Sequence, residues 1–218
     1  MKLNFVFTAI VLLSFTSPSI AAETIMPFWP TRDVTVVSTI TNPMSGNNSS
    51  KEIQTTMLYQ SAQQRMRINT DLAVAGQPVG YNIIDYKAHK ATTVMPAMRM
   101  YMETVNSKMS IQDEIADPSI LKEKVGTSTV AGLPCSIWQI KANDNAGKGC
   151  VTDDGVVLSY EGNIKTSKNS EATKMTMMAT SVKYGPLEDS LFVLPQGYQA
   201  FSPDSLNMLQ GMMKSMKK

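Results

Sequence analysis

Residues 33–41 read Asp-Val-Thr-Val-Val-Ser-Thr-Ile-Thr, and residues 51–60 read Lys-Glu-Ile-Gln-Thr-Thr-Met-Leu-Tyr-Gln. Both stretches are rich in β-branched residues, and a run of turn formers at 42–48 separates them. In the second stretch, alternate residues fall on one side of an extended chain: Ile53, Thr55, Met57 and Tyr59. The pattern predicts antiparallel strands with one buried face and one solvent-exposed face.

Further alternating or β-branched stretches follow along most of the chain. They lie at residues 65–69, 81–86, 91–95, 127–130, 135–141, 149–152, 156–162 and 173–183. Asp153-Asp154-Gly155 separates two of them and has the composition of a tight hairpin turn. No internal repeat or long low-complexity linker interrupts the series, so we expect one domain built largely on an antiparallel sheet.

Two segments have helical rather than alternating patterns. Residues 110–124 scatter isoleucines among Gln, Asp, Glu and Lys, which predicts one or two short helices interrupted near Asp117-Pro118. Ser202 is a suitable N-cap, and the Leu and Met residues that follow it predict an amphipathic helix over about 202–217. Such a helix usually packs on its own sheet, and it also fits peripheral contact with a membrane.

The N-terminus has the layout of a secretory signal peptide. Lys2 precedes an apolar run from Leu3 to Phe15, and Ser19 and Ala21 are the small residues that a cut after Ala21 requires. The apolar run is shorter than the roughly 20 residues of a transmembrane helix. We therefore expect a signal peptide over 1–21, a single domain over 22–218, and a periplasmic or secreted protein.

Composition narrows the function classes. Hydrophobic residues make up 43% of the chain, which argues against a disordered protein. The 20 Lys and Arg residues against 18 Asp and Glu residues leave a net charge of +2, too small for the usual basic nucleic-acid binder. Cys135 and Cys150 are the two cysteines, and an even pair in an oxidising compartment predicts a disulfide rather than a metal or redox site.

Catalytic motifs are weak in this sequence. His89 is the single histidine and lies in a Lys-rich turn between strands. Ser119 and Lys122 match Ser-x-x-Lys, but the companion motifs of the penicillin-binding enzymes are missing. There is no Gly-rich phosphate loop and no clustered Cys/His metal site. The sequence therefore predicts a non-enzymatic protein without a cofactor or resident metal.

The 17 methionines allow three interpretations. Methionine fills irregular apolar space in ordinary cores. If Met98 to Met102 form a strand, Met98, Met100 and Met102 share a face, where three thioethers could ligate Cu(I). Alternatively, methionines spread over several strands and the last helix would line a deformable apolar cavity for a lipid.

Several short motifs carry a family resemblance. Residues 65–69, Ile83-Ile84-Asp85 and Met95-Pro96 with Met100-Tyr101 resemble the front half of the LolA/LolB lipoprotein-carrier superfamily. The rear half is similar to an uncharacterised secreted branch of that superfamily at Val130–Trp138, Gly149–Thr152 and Leu191–Tyr198. The resemblance covers roughly residues 32 to 200.

The resemblance implies an α+β, mostly β fold, in which helices cover the concave face of a strongly curved antiparallel sheet, an incomplete β-barrel. It also implies an apolar ligand, since the better-known members carry lipoprotein acyl chains. Pro27 and Pro30 exclude the long first helix that a carrier uses as part of its lid. The resemblance therefore does not extend the lipoprotein-transfer function of the carriers to this protein.

The sequence thus favours a protein that holds a lipid or acyl-chain ligand between a curved sheet and a helix. The alternatives are a methionine-based Cu(I)-binding protein and a structural or interaction module of the cell envelope, with an envelope protein as partner. The lining predicted for the hydrophobic ligand is Met57, Tyr59, Met66, Ile68, Met98, Met100, Met102, Met175, Met177, Met213 and Met216.

Overall fold

A computed structural model describes residues 26–42 without Phe28, and 51–71, 73–74, 77–78, 80–105, 120–142, 145–164 and 173–201. The predicted signal peptide, the interruption near Asp117-Pro118 and the predicted C-terminal helix lie outside these residues. Among the described residues, no helix is long and apolar enough to cross a membrane.

The described chain folds into fourteen strands, twelve of which form one sheet. The strands are β1 (Val34–Asn42), β2 (Lys51–Gln60), β3 (Arg65–Thr70), β4 (Ala73–Val74), β5 (Gln77–Pro78), β6 (Tyr81–Asp85), β7 (Lys90–Met95), β8 (Met100–Val105), β9 (Leu121–Val130), β10 (Leu133–Ala142), β11 (Asn145–Val151), β12 (Val157–Ile164), β13 (Thr173–Tyr184) and β14 (Gln199–Ala200). Two 3₁₀ helices, Pro96–Met98 and Asp189–Phe192, complete the regular structure of this part of the chain.

The strand order of the sheet is β14-β8-β7-β6-β3-β2-β1-β13-β12-β11-β10-β9, and β4 pairs with β5 in a separate small hairpin. The front meander, β1 to β8, and the rear meander, β9 to β13, meet where β1 pairs antiparallel with β13. All pairs in the large sheet are antiparallel except the short contact of β14 with β8. The alternating stretches found in the sequence are therefore strands of one antiparallel sheet.

The prediction of an α+β fold with helices covering the concave face is wrong for the described chain, which contains no α-helix. Leu121–Lys124, expected to be helical, form the start of β9. The β-branched residues that follow them continue the strand, and Ala131 and Gly132 turn it back into β10 with φ of 49° and 78°. Positive φ at both central residues is the geometry of a tight hairpin turn, so local pairing with β10 overrides the helical pattern.

An N-terminal strap, residues 26–32 without Phe28, packs across both meanders. At one end Met26 is buried against Trp138, Ile140 and Val151 of the rear meander. In the middle of the strap the ring of Trp29 lies 4.3 Å from that of Tyr86 of the front meander, centroid to centroid. The strap therefore ties the two meanders together without a helix.

The strap passes close to the turn between β11 and β12. Gly155 in that turn has a φ of +89°, and a Cβ at this position would collide with the backbone carbonyl of Trp29. Any larger residue would force the strap away from the sheet, so glycine is required here for two reasons.

The front meander is also covered by the segment that follows β13. Phe192 is buried against Ile83 and Val94. Arg67 donates a hydrogen bond from Nη1 to the carbonyl oxygen of Leu191 at 2.9 Å, and its guanidinium lies over the ring of Tyr81. Along β3, β6 and β7, the residues that this segment contacts alternate with the residues on the face that the strap covers. The segment therefore covers the opposite face of the front meander.

Cys135 and Cys150 form the disulfide that the sequence predicted. They lie on the adjacent strands β10 and β11 with their Cα atoms 5.5 Å apart, and both are buried in the largest core cluster. The described chain has no free cysteine.

Loss of this disulfide should destabilise the rear meander. The two cysteines are 15 residues apart, and releasing a loop of that size costs about 3 kcal/mol in the chain-entropy model. Urea unfolding with and without a thiol reductant measures the difference. Reductant should leave the Cys135→Ala/Cys150→Ala variant unchanged, and equal stability of the oxidised and reduced protein would contradict the prediction.

A cluster of polar side chains around Asp154 fixes the strap to the sheet. Asp154 accepts hydrogen bonds from Arg32 at 2.7 Å, from Tyr184 at 3.2 Å and from the Thr152 hydroxyl. The Arg32 guanidinium also lies 4.0 Å from the centre of the Tyr184 ring. Burial raises the pKa of the Asp154 carboxyl, but the hydrogen bonds from Thr152, Arg32 and Tyr184 outweigh it and hold the pKa below its ordinary value.

Asp154→Asn should lower the free energy of unfolding at neutral pH by about 1–2 kcal/mol, since it weakens charge-assisted hydrogen bonds. A carboxyl with a lowered folded-state pKa stabilises the protein above its unfolded pKa of about 3.9, and this is lost as the pH falls through the folded value. The gap between wild type and variant should therefore begin to narrow below about pH 4 and close only below the folded-state pKa. Denaturant unfolding at pH 7 and pH 3 measures it.

Asp153→Asn, in the same turn and exposed, is the matched control and should leave stability unchanged at both pH values. A gap between wild type and Asp154→Asn as large at pH 3 as at pH 7 would contradict the assignment to the ionised carboxylate.

Candidate ligand-binding face

Strand register defines one face of the sheet, here called the core face, by its most deeply buried residues. Val34 of β1 pairs with Tyr59 of β2, which pairs with Met66 of β3, which pairs with Ile84 of β6. All four side chains are at most 5% exposed. Because side chains alternate along a strand, every second residue from these positions also lies on the core face.

Eight of the predicted lining residues lie on this face by register. The pairs that establish it include Val36 with Met57, Met57 with Ile68, Thr93 with Met102, Met95 with Met100, and Ile40 with Met177. The eight are Met57, Tyr59, Met66, Ile68, Met100, Met102, Met175 and Met177.

A β-bulge decides which methionines of β13 reach the core face. Val37 pairs with Ser181 but Ser38 pairs with Ala179, which leaves Thr180 as the extra residue. The Thr180 hydroxyl donates a hydrogen bond to the carbonyl oxygen of Val37 at 3.1 Å. Without the bulge, alternation from β1 would turn Met178, not Met177, toward the core face.

The core face has a closed half and an open half. The closed half contains the buried side chains around Val34 and Tyr59, against which Trp29 of the strap packs. In the open half the apolar side chains are half-buried or exposed, and polar side chains lie among them, of which Ser38 and Thr55 are buried. Its apolar residues are Ile40, Ile53, Met57, Ile68, Met95, Met100, Met102, Met175 and Met177.

The predicted lining divides between these halves. Tyr59 and Met66, each 1% exposed, belong to the closed core. Burial alone raises the pKa of the Tyr59 hydroxyl, with no charged partner involved. These two residues therefore support the sheet and are not accessible on its surface.

Met98 does not join the lining. It lies in the 3₁₀ turn Pro96–Met98 and is 51% exposed, and β8 begins only at Met100. The prediction that Met98, Met100 and Met102 share a strand face is therefore wrong, because Pro96 starts a helical turn. Met213 and Met216 lie outside the described residues.

Three members of the open half are absent from the predicted lining. Ile40 and Ile53 are direct cross-strand partners on β1 and β2, and Met95 is the partner of Met100. Alternation already placed Ile53 on the face of Met57, and its pairing with Ile40 adds Ile40 to that face. Identifying Met95 required the geometry of the turn that follows it.

The open half is electrically neutral. None of its described side chains is charged, and its polar side chains include Ser38, Thr55 and a pair in which the Thr93 hydroxyl donates a hydrogen bond to Asn82 Oδ1 at 2.7 Å. The surface therefore suits an apolar ligand better than a charged one.

A groove lies in the rear meander. This groove of about 340 Å³ includes Val130, Ile137, Cys150 and Met178 in its lining, together with Lys148 and Glu161. Its lining mixes polar and apolar side chains, and it holds neither a described histidine nor a free thiol that could act as a base or nucleophile.

Metal ligands of the usual kind are not clustered in the described chain. No group of three or more His, Cys, Asp or Glu side chains there is placed to hold an ion. His89 lies in the turn between β6 and β7 with a φ of 49°, exposed to solvent.

Comparison with solved structures supports the fold. An uncharacterized conserved protein from Thermus thermophilus aligns with a TM-score of 0.53 at 8% identity, over 78% of this chain and 90% of that one. At this identity the two proteins share a fold, and the similarity says nothing about function. Curated protein sequences yield no match.

Two further structures align with lower scores. The MucA/MucB complex of Pseudomonas aeruginosa gives a TM-score of 0.44 at 15% identity, over 73% of this chain and 55% of that one. A putative outer membrane lipoprotein-sorting protein domain from Vibrio parahaemolyticus gives 0.38 at 7% identity, over 74% and 89%. Scores below 0.5 carry no argument about ligand or partner.

Comparison with protein-family models assigns the sequence to a family. The model described as Domain of unknown function (DUF4412) matches residues 40–162, more than half of the chain. The matched region runs from β1 through β12 and so includes most of the core face. The chain belongs to the DUF4412 family.

Proposed function

We propose that this protein is a non-enzymatic extracytoplasmic binding protein that holds a lipid or another hydrophobic ligand on the open half of its core face. One observation carries the proposal. A row of nine half-buried or exposed apolar side chains, six of them methionine, lies on the same face as a fully packed core, and Ser38, Thr55, Asn82 and Thr93 interrupt it. Exposed apolar patches on soluble proteins commonly mark binding sites.

The chemistry of the row suits acyl chains. Methionine is unbranched and polarizable, so the surface can adapt to chains of different length or bend. Binding needs apolar contact and the removal of water, at about 25 cal/mol per Å² of buried apolar surface, with no fixed polar geometry. The Asn82–Thr93 pair supplies one polar position within the row.

The closed half gives such a site a rigid support. Tyr59 and Met66 are packed beneath Trp29 and Tyr86, so the strands that carry Met57 and Ile68 are fixed at one end. A preorganised face loses less conformational entropy when a ligand binds. The ligand therefore meets a firm backbone and flexible side chains.

Replacing Met100 and Met102 with Asp should abolish binding of a hydrophobic ligand. Two carboxylates would have to be desolvated on contact with an acyl chain, which costs several kcal/mol. We expect at least a tenfold loss of affinity for a fluorescent polyene fatty acid, measured by titration. Both positions are half-buried or exposed, so circular dichroism and thermal unfolding should stay close to wild type.

Met178→Asp is the matched control, because Met178 is 53% exposed and lies on the opposite face of β13. Its affinity for the fatty acid should equal that of wild type. Undiminished binding by a folded Met100→Asp/Met102→Asp variant would remove the open half as the site. Absence of binding to wild type would favour a structural or interaction module of the envelope.

The proposed location is the periplasm or the exterior, after removal of the signal peptide. The disulfide between Cys135 and Cys150 supports an oxidising compartment. Intact mass spectrometry of protein from the exporting host should give a chain that begins at Ala22 and is two hydrogens lighter than its reduced form. A chain that retains residues 1–21, or free thiols, would contradict this location.

A further inference from the structure

We propose that the hairpin of β7 and β8 binds Cu(I) through the thioethers of Met95, Met100 and Met102. This site does not depend on the proposed lipid function. The alternative site suggested by the sequence used Met98, which the structure places in the turn. Met95 takes its place because it lies directly opposite Met100 in the strand register.

The register brings the three side chains within reach of one ion. Met95 and Met100 are paired residues, and Cβ atoms of such pairs lie about 4.5–5.5 Å apart. Met102 is two residues further along β8 and therefore on the same face, diagonal to Met95. A methionine side chain has three rotatable bonds, so three sulfur atoms can converge from these positions.

The connecting turn holds this spacing. Pro96–Met98 form a 3₁₀ turn, and Arg99 then adopts the left-handed conformation with a φ of 51°. The Arg99 amide donates a hydrogen bond to the Pro96 carbonyl oxygen at 3.1 Å. Met95 and Met100 are thus brought opposite each other by a closed turn.

The ligand chemistry selects a soft, monovalent ion. Thioethers are neutral soft donors, which favour Cu(I) over hard cations. The described chain offers no free thiol to compete, since Cys135 and Cys150 are joined. It also offers no His, Cys, Asp or Glu cluster that would attract Zn²⁺ or Cu²⁺ instead.

The three methionine side chains are at least partly accessible to an incoming ion. Met95 and Met100 are half-buried, and Met102 is 43% exposed. The neighbouring residues on this face, Asn82 and Thr93, are uncharged, so neither of them opposes a cation. Thioethers do not titrate, and the affinity should therefore be constant between about pH 5 and pH 8, unlike that of a His or Cys site.

The test is competition between the disulfide-intact protein and a chromophoric Cu(I) chelator, under anaerobic conditions with Cu(I) supplied in acetonitrile. Wild type should withdraw one equivalent of Cu(I). Met95→Leu/Met100→Leu/Met102→Leu should bind at least tenfold more weakly. Leucine conserves the volume of methionine, so this variant keeps its fold and its apolar surface.

Met178→Leu is the control with a methionine of similar exposure on the other face, and it should retain wild-type Cu(I) affinity. The proposal is overturned if wild type takes no Cu(I) from the chelator, or if the triple Leu variant takes it equally well. The triple variant should still bind the fluorescent fatty acid. Loss of Cu(I) binding and loss of lipid binding are thereby distinguishable.

Discussion

The antiparallel pairing of β1 with β13 is the contact on which the rest of the structure depends. It joins residues that are far apart in sequence, Val34 with Tyr184 at one end and Thr41 with Thr176 at the other. Without it the chain would be two separate meanders with unprotected edges. The bulge within this pairing sets the phase of β13, and so it also decides that Met177 continues the core face of the front meander.

The two ends of the core face differ because only one of them receives the strap. Trp29 covers Tyr59, and the cluster around Asp154 fixes the strap through Arg32. This closed end supplies burial that stabilises the sheet. The strands then continue past the strap, and their alternation continues with them. The same pattern that makes a core at one end therefore makes an accessible apolar row at the other.

Many of the strands and part of the core face were predictable from the sequence, because alternation is a local property. The strands from β1 to β3 follow from β-branched, two-residue periodicity, and the shared face of Met57 and Ile68 follows with them. The predictions that failed depended on tertiary contacts or backbone geometry, which sequence periodicity does not encode. Leu121–Lys124 has a helical pattern, but pairing with β10 makes it a strand. Met98 was misassigned because Pro96 starts a 3₁₀ turn, and the strap was missed because its partners are distant in sequence.

Methionine suits both ligands proposed for the open half, a lipid and Cu(I). An apolar row facing water costs free energy in proportion to its area, and a ligand or ion of the proposed kind would lower that cost by covering the row. Leucine or isoleucine would carry a similar hydration cost while fitting one shape. Methionine adds a flexible chain and a sulfur donor, and these would let one face serve both proposed ligands, an acyl chain and a soft ion. Since Met100 and Met102 serve both proposals, occupation by one ligand should exclude the other from β8.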